Sequence, residues 1–281
     1  MALTVNTNMA SLNAQRSLGK SQSALQTSLA RLSSGLRINS AKDDAAGLAV
    51  AAGLTKEIRG NNVAVRNAAD GISLGQIAEG ALGQISDNLQ RIREIAVQAS
   101  NGTISNTDRD KLQLEVDQLT QENSRIIDTT SFNGTKLINA TGSLSFQVGS
   151  DSAANNQISV STVNMTASSV NTYASNLSAT KTVDVSTAAA ASGAIAEMDT
   201  DIATVTSNRA TFGAVQNRFD AVIANLQNTV ENLSASRSRI VDADFAAETA
   251  TLTKNQILQQ AGVAILSQAN TLPQTALSLL Q

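Results

Sequence analysis

The fold is decided by residues 195–240, which read IAEMDTDIATVTSNRATFGAVQNRFDAVIANLQNTVENLSASRSRI. Large apolar side chains recur there at every seventh residue: Met198, Val205, Phe212, Phe219, Leu226, Leu233 and Ile240. A second apolar series lies three residues ahead of the first and contains Ile195, Ile202, Ile223 and Val230. Two apolar positions in every seven residues, sustained over this length, predict a long helix with a coiled-coil seam.

Similar seams occupy the first half of the chain. The first contains leucines at seven-residue intervals in two registers, Leu18, Leu25 and Leu32 in one and Leu29 and Leu36 in the other. The second alternates in the same way through Leu82, Ile85, Leu89, Ile92, Ala96 and Ala99. Each seam predicts a further long helix.

Two more helices are predicted from apolar residues at three- and four-residue spacing. The first contains Leu112, Val116, Leu119 and Ile126, and the second, near the C-terminus, contains Leu258, Ala261, Ile265, Ala269 and Leu272. Thr107 and Asp110 have the spacing of a capping box at the start of the first of these helices.

The segment between residues 131 and 185 has a different pattern. After a turn signal at residues 132–134 (FNG), apolar and polar residues alternate in two runs, at Leu144, Phe146 and Val148 and then at Ile158 and Val160. The alternation predicts a β-hairpin. Residues 167–193 are rich in Ser, Thr and Ala, which predicts a short variable surface segment. The predicted fold class is therefore mainly α, with long antiparallel helices forming coiled-coil rods and a small β-hairpin region.

The composition restricts the function. Aromatic residues are 2% of the chain, with no Trp and a single Tyr, which argues against a thick globular core and for slender helices. Because Cys and His are absent, thiol nucleophiles, the usual zinc ligands and the commonest general base are missing, and we expect no enzyme, metal or cofactor. The net charge of −3 argues against a nucleic-acid partner. We expect no membrane insertion and no secretory signal peptide, because no apolar run is long enough.

Three short motifs approach catalytic sequences but lack the partners that the chemistry requires. Residues 14–21 approach a P-loop, yet Ala14 replaces its first glycine and no strand is predicted before it. Residues 71–75 have the spacing of a nucleophile elbow, and Ser17 with Lys20 has that of a serine–lysine pair. No histidine or further motif completes either one, so we interpret all three as parts of helices.

Two acidic pairs and three sequons also have simple interpretations. Asp199 with Asp201, and Asp242 with Asp244, are interpreted as caps or solvated charges, because residues two apart do not face each other on a helix. Three sequences have the form of glycosylation sequons and are interpreted as turns: Asn101-Gly102-Thr103, Asn133-Gly134-Thr135 and Asn139-Ala140-Thr141.

Several longer stretches resemble sequences typical of bacterial flagellins. In the first half these are residues 32–47 (LSSGLRINSAKDDAAG) and 89–98 (LQRIREIAVQ). In the second half they are residues 213–219 (GAVQNRF), 236–245 (SRSRIVDADF), 259–262 (QQAG) and 278–280 (SLL). The resemblance covers residues 1 to about 150 and about 195 to 281, with the motifs in the family's order.

The resemblance implies two domains. In flagellins the two termini pair as a coiled coil that lines the filament channel, and the adjacent helices form an outer tube with a hairpin. Here this implies an inner coiled-coil domain of residues 1–43 with 242–281, and an outer helical rod domain of residues 44–190 with 191–241. Only the short segment at about 167–193 stands where large flagellins carry variable outer domains, which implies a bare filament surface.

The function implied by the resemblance is that of a structural subunit that polymerises into the bacterial flagellar filament for swimming motility. The family is secreted to the cell exterior by the flagellar type III route. The implied partners are copies of the same chain, a flagellar export chaperone, the filament cap and hook–filament junction proteins, and the innate immune receptor Toll-like receptor 5. The positions that match receptor-recognition residues are Gln90, Arg91, Ile95, Gln98 and Glu115, and Ile95 replaces the leucine that is usual there.

Polymerisation is expected to use two terminal apolar seams, within residues 5–36 and 252–280, which a single chain covers incompletely. Short helix pairs are marginally stable alone, so burial against neighbouring copies would stabilise them. The residues assigned to these seams are Leu18, Leu25, Leu29, Leu32, Leu36, Leu258, Ile265, Leu272, Leu279 and Leu280. Two alternatives stay open: a hook–filament junction protein, or another secreted helical adhesin that does not polymerise.

Overall fold

The computed structural model describes residues 7–165 and 183–278, with residues 272–278 described as backbone only. The helices in these ranges are α1 (Met9–Ser34), α2 (Ala45–Ser100), α3 (Asn106–Thr129), α4 (Ala188–Val241) and α5 (Phe245–Ser278). Two antiparallel strand pairs lie between α3 and α4: β1 (Ser131–Phe132) with β2 (Thr135–Lys136), and β3 (Asn139–Gln147) with β4 (Gln157–Asn164). The predicted fold class and order of elements are confirmed.

The chain divides into two compact units. The first unit contains the described residues up to Glu57 and from Glu231 onward, and the second contains those from Ile58 to Val230. Both boundaries fall inside long helices, α2 and α4. The inner and outer domains expected from the resemblance are bounded differently, near residues 43 and 242, and they stay a prediction.

In the second unit α2 and α4 run antiparallel. Arg93 Nε donates to Asp199 Oδ1 at 2.6 Å, and Arg209 pairs with Glu79 at 3.4 Å. The residue with the higher number on α2 thus pairs with the residue with the lower number on α4, as antiparallel helices require. The heptad residues of both helices are buried in one core: Leu82, Ile85, Leu89, Ile92, Ala96 and Ala99 from α2, and Met198, Val205, Phe212 and Phe219 from α4. The seams read from the sequence are therefore the core of this unit.

Phe219 joins the hairpin to the two long helices. Its ring meets that of Phe146 on β3 edge to face, with 5.5 Å between ring centroids and 78° between planes. The ring also lies against Gly71 on α2, where an added Cβ would be 2.5 Å from Phe219 Cζ. An aromatic side chain therefore fits at this heptad position only because the facing residue has no side chain.

The N-cap of α3 differs from the one expected. Ser105 accepts a hydrogen bond from the Asp108 N–H at 3.2 Å, and its hydroxyl donates to the Asp108 carboxylate at 2.7 Å. The capping box expected at Thr107 and Asp110 is wrong, because α3 begins at Asn106 and Thr107 already lies in its first turn. Both pairs have the same three-residue spacing, so spacing alone did not distinguish them.

Arg109 explains why α3 begins where it does. Its side chain is buried, and Nε donates to the Ala99 carbonyl at 2.7 Å while Nη2 donates to the Asn101 carbonyl at 3.0 Å. Nη1 donates to Asn106 Oδ1 at 2.8 Å. These bonds satisfy carbonyls at the end of α2 and tie them to the first turn of α3, which fixes the connection.

We expect Ser105→Ala to lower the free energy of unfolding by about 1 kcal/mol, because the Asp108 N–H loses its acceptor. The matched control is Thr107→Ala, which removes a hydroxyl two residues away without removing a cap. Chemical unfolding followed by helical circular dichroism measures both variants. An equal loss of stability in both would contradict the assignment of Ser105 as the N-cap.

The two strand pairs confirm the predicted hairpin and add a shorter one. In β3–β4, Leu144 faces Val160 and Phe146 faces Ile158, which are the alternating residues of the sequence pattern. The β1–β2 pair closes at Asn133 and Gly134, with φ angles of 47° and 81°. Two adjacent residues with positive φ are typical of a type I′ turn, the turn that Asn-Gly favours between strands.

The surface segment expected at residues 167–193 is wrong at its C-terminal end. Val183 and Val185 are buried, and α4 already begins at Ala188. The side chain of Gln113 on α3 holds this backbone, since Nε2 donates to the Val183 carbonyl at 2.7 Å and Oε1 accepts from the Val185 N–H at 2.6 Å. The remainder of that expectation, residues 167–182, lies outside the described residues.

The short motifs have the structural roles expected of them, with two exceptions, Asp201 and one sequon. The sequon at residues 139–141 was interpreted as a turn, but it lies in β3, where the backbone is paired with β4. Residues 14–21 lie inside α1, and Ser73 in α2 donates to the Ala69 carbonyl at 3.0 Å. Asp244 caps α5 by accepting from the Ala246 N–H at 2.9 Å. The interpretation of Asp201 as a solvated or capping charge is wrong, because it is fully buried in the second unit.

Candidate interaction surface

The first unit is built on an antiparallel pair of helices, α1 and α5. At one end Asn8 Nδ2 donates to the Ala269 carbonyl at 2.8 Å, and Ser11 Oγ donates to Asn270 Oδ1 at 2.9 Å. Towards the other end Arg31 pairs with Glu248 at 3.6 Å. Polar contacts thus fix the register of the pair from one end to the other.

The face that joins α1 to α5 is made mainly of small and polar residues. On α1 the buried residues are Ser11, Ala14 and Ser28, and on α5 they are Asn255 and Ala269. Gly262 lies against α1, where an added Cβ would be 3.4 Å from Leu18 Cδ1. Small side chains bury little apolar area, so the fully buried residues of this interface contribute little hydrophobic stabilisation.

Two buried donors in the first unit have no acceptor among the described residues. They are Arg31 Nε and Asn255 Nδ2. A buried donor without a partner costs roughly 1–3 kcal/mol. The helix pair therefore has a weak apolar interface that is further opposed by unsatisfied polar groups.

The outer side of α5 carries its large apolar residues. Leu258 is 45% exposed and Ile265 is 60% exposed, and seven-residue spacing places them on the same face. Both were assigned to the C-terminal seam from the sequence. The side chain of Leu272 is not described, and Leu279 and Leu280 lie outside the described residues.

Three further exposed residues on α5 were missed by the sequence analysis. Phe245 is 56%, Ile257 60% and Val263 54% exposed. At about 100° per residue, Ile257 and Val263 project from faces roughly 120° apart. The signal for these residues is that α5 has apolar residues on every side and not in one stripe, a pattern typical of a helix that is fully enclosed.

The leucines assigned to the N-terminal seam are divided between two environments. Leu18, Leu25, Leu32 and Leu36 are half-buried in the first unit, whereas Leu29 is 50% exposed. Met9 and Leu12 are also exposed on α1, at 66% and 48%. Both helices of the pair therefore present apolar side chains that the single chain leaves in water.

The connection between α1 and α2 is held by backbone and side-chain bonds within the first unit. The Arg37 N–H donates to the Val241 carbonyl at 2.6 Å. Further along, Asp43 accepts hydrogen bonds from the Ser40 N–H at 2.8 Å, the Ser40 hydroxyl at 3.0 Å and the Asn39 N–H at 3.1 Å. These donors hold the pKa of Asp43 below its usual value, because they stabilise the carboxylate. The loop is thus organised by an ionised side chain at neutral pH.

The residues matched to receptor recognition lie in the second unit. Gln90, Arg91, Gln98 and Glu115 are exposed, but Ile95 is 1% exposed. A direct contact of Ile95 with a partner is therefore excluded in this conformation, and its side chain instead packs in the core. Ile95 is buried because α2 has helices on two sides; two turns away, Asn88 on α2 donates to Asn123 on α3 at 2.7 Å.

Arg91 is the centre of a charged cluster on this surface. Its Nε donates to Glu115 Oε1 at 2.8 Å across to α3, and its Nη1 donates to Glu94 Oε2 at 3.0 Å along α2. The hydrogen bonds from these carboxylates raise the pKa of Arg91 above its usual value. The guanidinium is held in one orientation while its outer face stays in contact with water.

No group of His, Cys, Asp and Glu side chains suited to holding a metal ion is found in residues 7–165 and 183–271. No described helix is both long and apolar enough to cross a bilayer. The candidate functional surface is the exposed apolar set of α1 and α5, with the charged α2–α3 surface as a second candidate.

Comparison with known families gives two matches. Residues 5–143 match the bacterial flagellin N-terminal helical region, and residues 195–280 match the bacterial flagellin C-terminal helical region. Flagellin D of Vibrio anguillarum is 37% identical and polar flagellin A of Vibrio parahaemolyticus is 35% identical, each with 100% of both chains covered.

Two solved structures are also similar. The crystal structure of Bacillus cereus flagellin has 29% sequence identity and a TM-score of 0.48, covering 61% of this chain and 94% of its own. A putative flagellar hook-associated protein from Vibrio parahaemolyticus has 13% identity and a TM-score of 0.59, covering 71% of this chain and 100% of its own. The second likeness, at this identity, concerns the fold alone.

Proposed function

The chain belongs to the bacterial flagellin family and is a structural subunit of the flagellar filament, and we propose that its α1–α5 pair is the part that joins subunits. The observation that carries this proposal is the exposure of large apolar residues on several faces of α5, such as Ile257, Val263 and Ile265. Fully burying one such side chain contributes about 1.5–3 kcal/mol, so contacts repeated along α5 stabilise a polymer strongly.

Copies of the same chain are the occupants that these faces fit. α5 is apolar on sides that α1 does not cover, so one further helix would leave other faces in water. Covering all the apolar faces of α5 requires neighbours on several sides, and a bundle of identical helices provides such neighbours. Head-to-tail contacts that do not close on themselves extend into an open helical filament.

The α1–α5 pair is only marginally stable in an isolated chain, and this favours assembly. The small residues of the α1–α5 face and the unpaired donors on Arg31 and Asn255 leave the pair weakly held before assembly. We propose that the seam residues Leu18, Leu25, Leu29, Leu32, Leu36, Leu258, Ile265, Leu272, Leu279 and Leu280 complete their burial between subunits. In this proposal residues 1–43 with 242–281 form the inner domain of the polymer, and residues 44–241 form its outer tube.

The test is seeded polymerisation of the purified full-length protein, followed by electron microscopy. Filament fragments should elongate with time and with the concentration of free subunit. A protein that binds the ends of seeds without elongating them would instead fit a hook–filament junction protein. A protein that stays single beside intact seeds would fit a helical adhesin, and either result would overturn the proposal.

Export and chaperone binding extend the proposal. An apolar α5 needs protection before assembly, and a flagellar export chaperone that covers it would supply this during passage through the type III channel. We also propose secretion to the cell exterior, addition beneath the filament cap and contact with hook–filament junction proteins, and the family membership supports these proposals. The absence of Cys is compatible with a chain that passes through the channel unfolded.

Recognition of the monomer by Toll-like receptor 5 is a separate proposal, supported by the charged α2–α3 surface. Gln90, Arg91, Gln98 and Glu115 are exposed there and available to a partner. Ile95 is buried, so we assign it the role of positioning its helix neighbours and not that of a contact. The same surface would be covered by neighbouring subunits in a filament, so recognition would be limited to monomers.

We expect Arg91→Ala to weaken the response of a Toll-like receptor 5 reporter cell at least about tenfold, which corresponds to ~1.4 kcal/mol. The matched control is Arg125→Ala, which removes another exposed arginine paired with a glutamate, at 2.6 Å from Glu122. Dose–response curves of the folded monomers measure the effect. Equal curves for wild type, Arg91→Ala and Arg125→Ala would contradict a role of this surface in recognition.

A further inference from the structure

The chain contains two Asn-Gly dipeptides with the same following residue, Asn101-Gly102-Thr103 and Asn133-Gly134-Thr135. Asparagine before glycine is chemically labile, because the next backbone nitrogen reaches the side-chain amide without hindrance from a Cβ. The reaction needs the backbone around the asparagine to rotate freely. The two sites differ in how far the structure allows that rotation.

Asn101 is held by four hydrogen bonds. Its N–H donates to the Gln98 carbonyl at 3.2 Å, and its own carbonyl accepts from the Ile104 N–H at 3.2 Å. The same carbonyl accepts from Arg109 Nη2 at 3.0 Å, and Oδ1 of the side chain accepts from the Thr103 N–H at 3.2 Å. Both the backbone and the reacting amide are therefore fixed in place.

Asn133 is held much less firmly. It lies at the exposed tip of the β1–β2 hairpin, whose strands have two residues each. No hydrogen bond joins its side chain to any described residue, and a Cβ added at Gly134 would meet no atom within 4 Å. Short exposed hairpins open at little free-energy cost, so the backbone at this turn rotates far more readily than at Asn101.

We propose that Asn133 is a site of spontaneous deamidation in the native protein and that Asn101 is protected from the same reaction. The Gly134 backbone nitrogen attacks Cγ of Asn133, a new C–N bond forms, and the Cγ–Nδ2 bond breaks. The nitrogen's proton leaves with the amide as ammonia. Water then opens the resulting succinimide at either carbonyl and gives aspartate or isoaspartate.

The product would alter the surface of the second unit without opening its core. Deamidation adds one negative charge at residue 133, and isoaspartate also lengthens the backbone by a methylene group. The type I′ turn that pairs Phe132 with Thr135 would no longer fit this backbone. Phe132 packs against the core and Leu137 is buried, so the change stops at these two residues.

The experiment uses the full-length protein and two tryptic peptides. Cleavage after arginine and lysine places Asn133 in the peptide of residues 126–136 and Asn101 in the peptide of residues 94–109. The protein is aged in mildly alkaline buffer, once folded and once in denaturant, and the deamidated fraction of each peptide is followed by mass spectrometry. Isoaspartate is detected with an isoaspartyl methyltransferase.

In the folded protein we expect Asn133 to react roughly tenfold faster than Asn101, because rotation at Asn101 first breaks several hydrogen bonds. In denaturant the two rates should converge, since both sites share the sequence Asn-Gly-Thr. The variant Asn133→Gln should remove the fast signal from the 126–136 peptide. Equal rates in the folded protein, or a rate ratio that persists in denaturant, would overturn the proposal.

Discussion

Filament elongation is expected to fail when Ile265 is replaced by Asp, although the monomer keeps its fold. Ile265 is 60% exposed, so the charged side chain should lower the stability of the isolated chain only slightly. In a filament the same position would be enclosed by apolar neighbours, and a carboxylate there loses its hydration without gaining a partner. The loss of apolar burial alone amounts to about 1.5–3 kcal/mol. The desolvated charge adds several kcal/mol more per contact.

We therefore expect Ile265→Asp to raise the critical concentration for seeded growth at least about a hundredfold, because each ~1.4 kcal/mol changes an equilibrium constant tenfold. Sedimentation of seeded samples and electron microscopy measure it. The matched control is Gln76→Asp, which changes an exposed polar residue of α2 in the second unit, outside the α1–α5 pair that we propose joins subunits. Circular dichroism establishes that both variants fold. Normal growth of Ile265→Asp filaments would show that this face does not join subunits.

The second large effect is expected in the core of the second unit. Gly71→Ala should destabilise that unit, because the new Cβ would stand 2.5 Å from Phe219 Cζ and 2.6 Å from its Cε2. Phe219 is fully buried and also packs against Phe146, so its ring has little room to retreat. Overpacking of this kind costs about 1–3 kcal/mol. The melting temperature should fall by roughly 2–4 °C for each kcal/mol lost.

Gly80→Ala is the matched control in the same helix. Gly80 is exposed and a Cβ added there meets nothing within 4 Å, so the substitution should stabilise α2 by about 1 kcal/mol through helix propensity. A second variant isolates the cause of the first effect. The double variant Gly71→Ala with Phe219→Leu should lose less stability than the two single variants together, because the smaller leucine side chain leaves room for the new Cβ. Additive losses would show that the contact between residues 71 and 219 does not decide stability.

Several features of the fold were predictable because they depend on neighbours along the chain. Met198, Phe212 and Phe219 were identified as core residues from their spacing, and all three are buried. The hairpin was predicted from alternation, and Leu144 does face Val160. In each case the period of the apolar residues matches the geometry of one element, and no knowledge of its partner is needed.

Other features depended on partners that the spacing does not specify. Ile95 was assigned to receptor recognition because its position matches that of a recognition residue in the family, yet α2 is covered from two sides and Ile95 is buried. Asp201 was taken for a solvated charge, although the packing around α4 buries it completely. Gln113 holds residues 183–185 through the two atoms of its amide, a contact between segments far apart in the chain.

The sequence by itself determined that this protein is a set of long helices with apolar seams, and that it belongs with the flagellins. Both follow from residue order, since helical periodicity and motif identity are local properties. Only the tertiary structure decided which faces of α5 remain uncovered. α1 packs on its small residues Gly262 and Ala269, and Leu258 and Ile265 are left in water. A helix with apolar residues on every side offers several faces to a partner, and the choice among them is made by close packing between segments far apart in sequence.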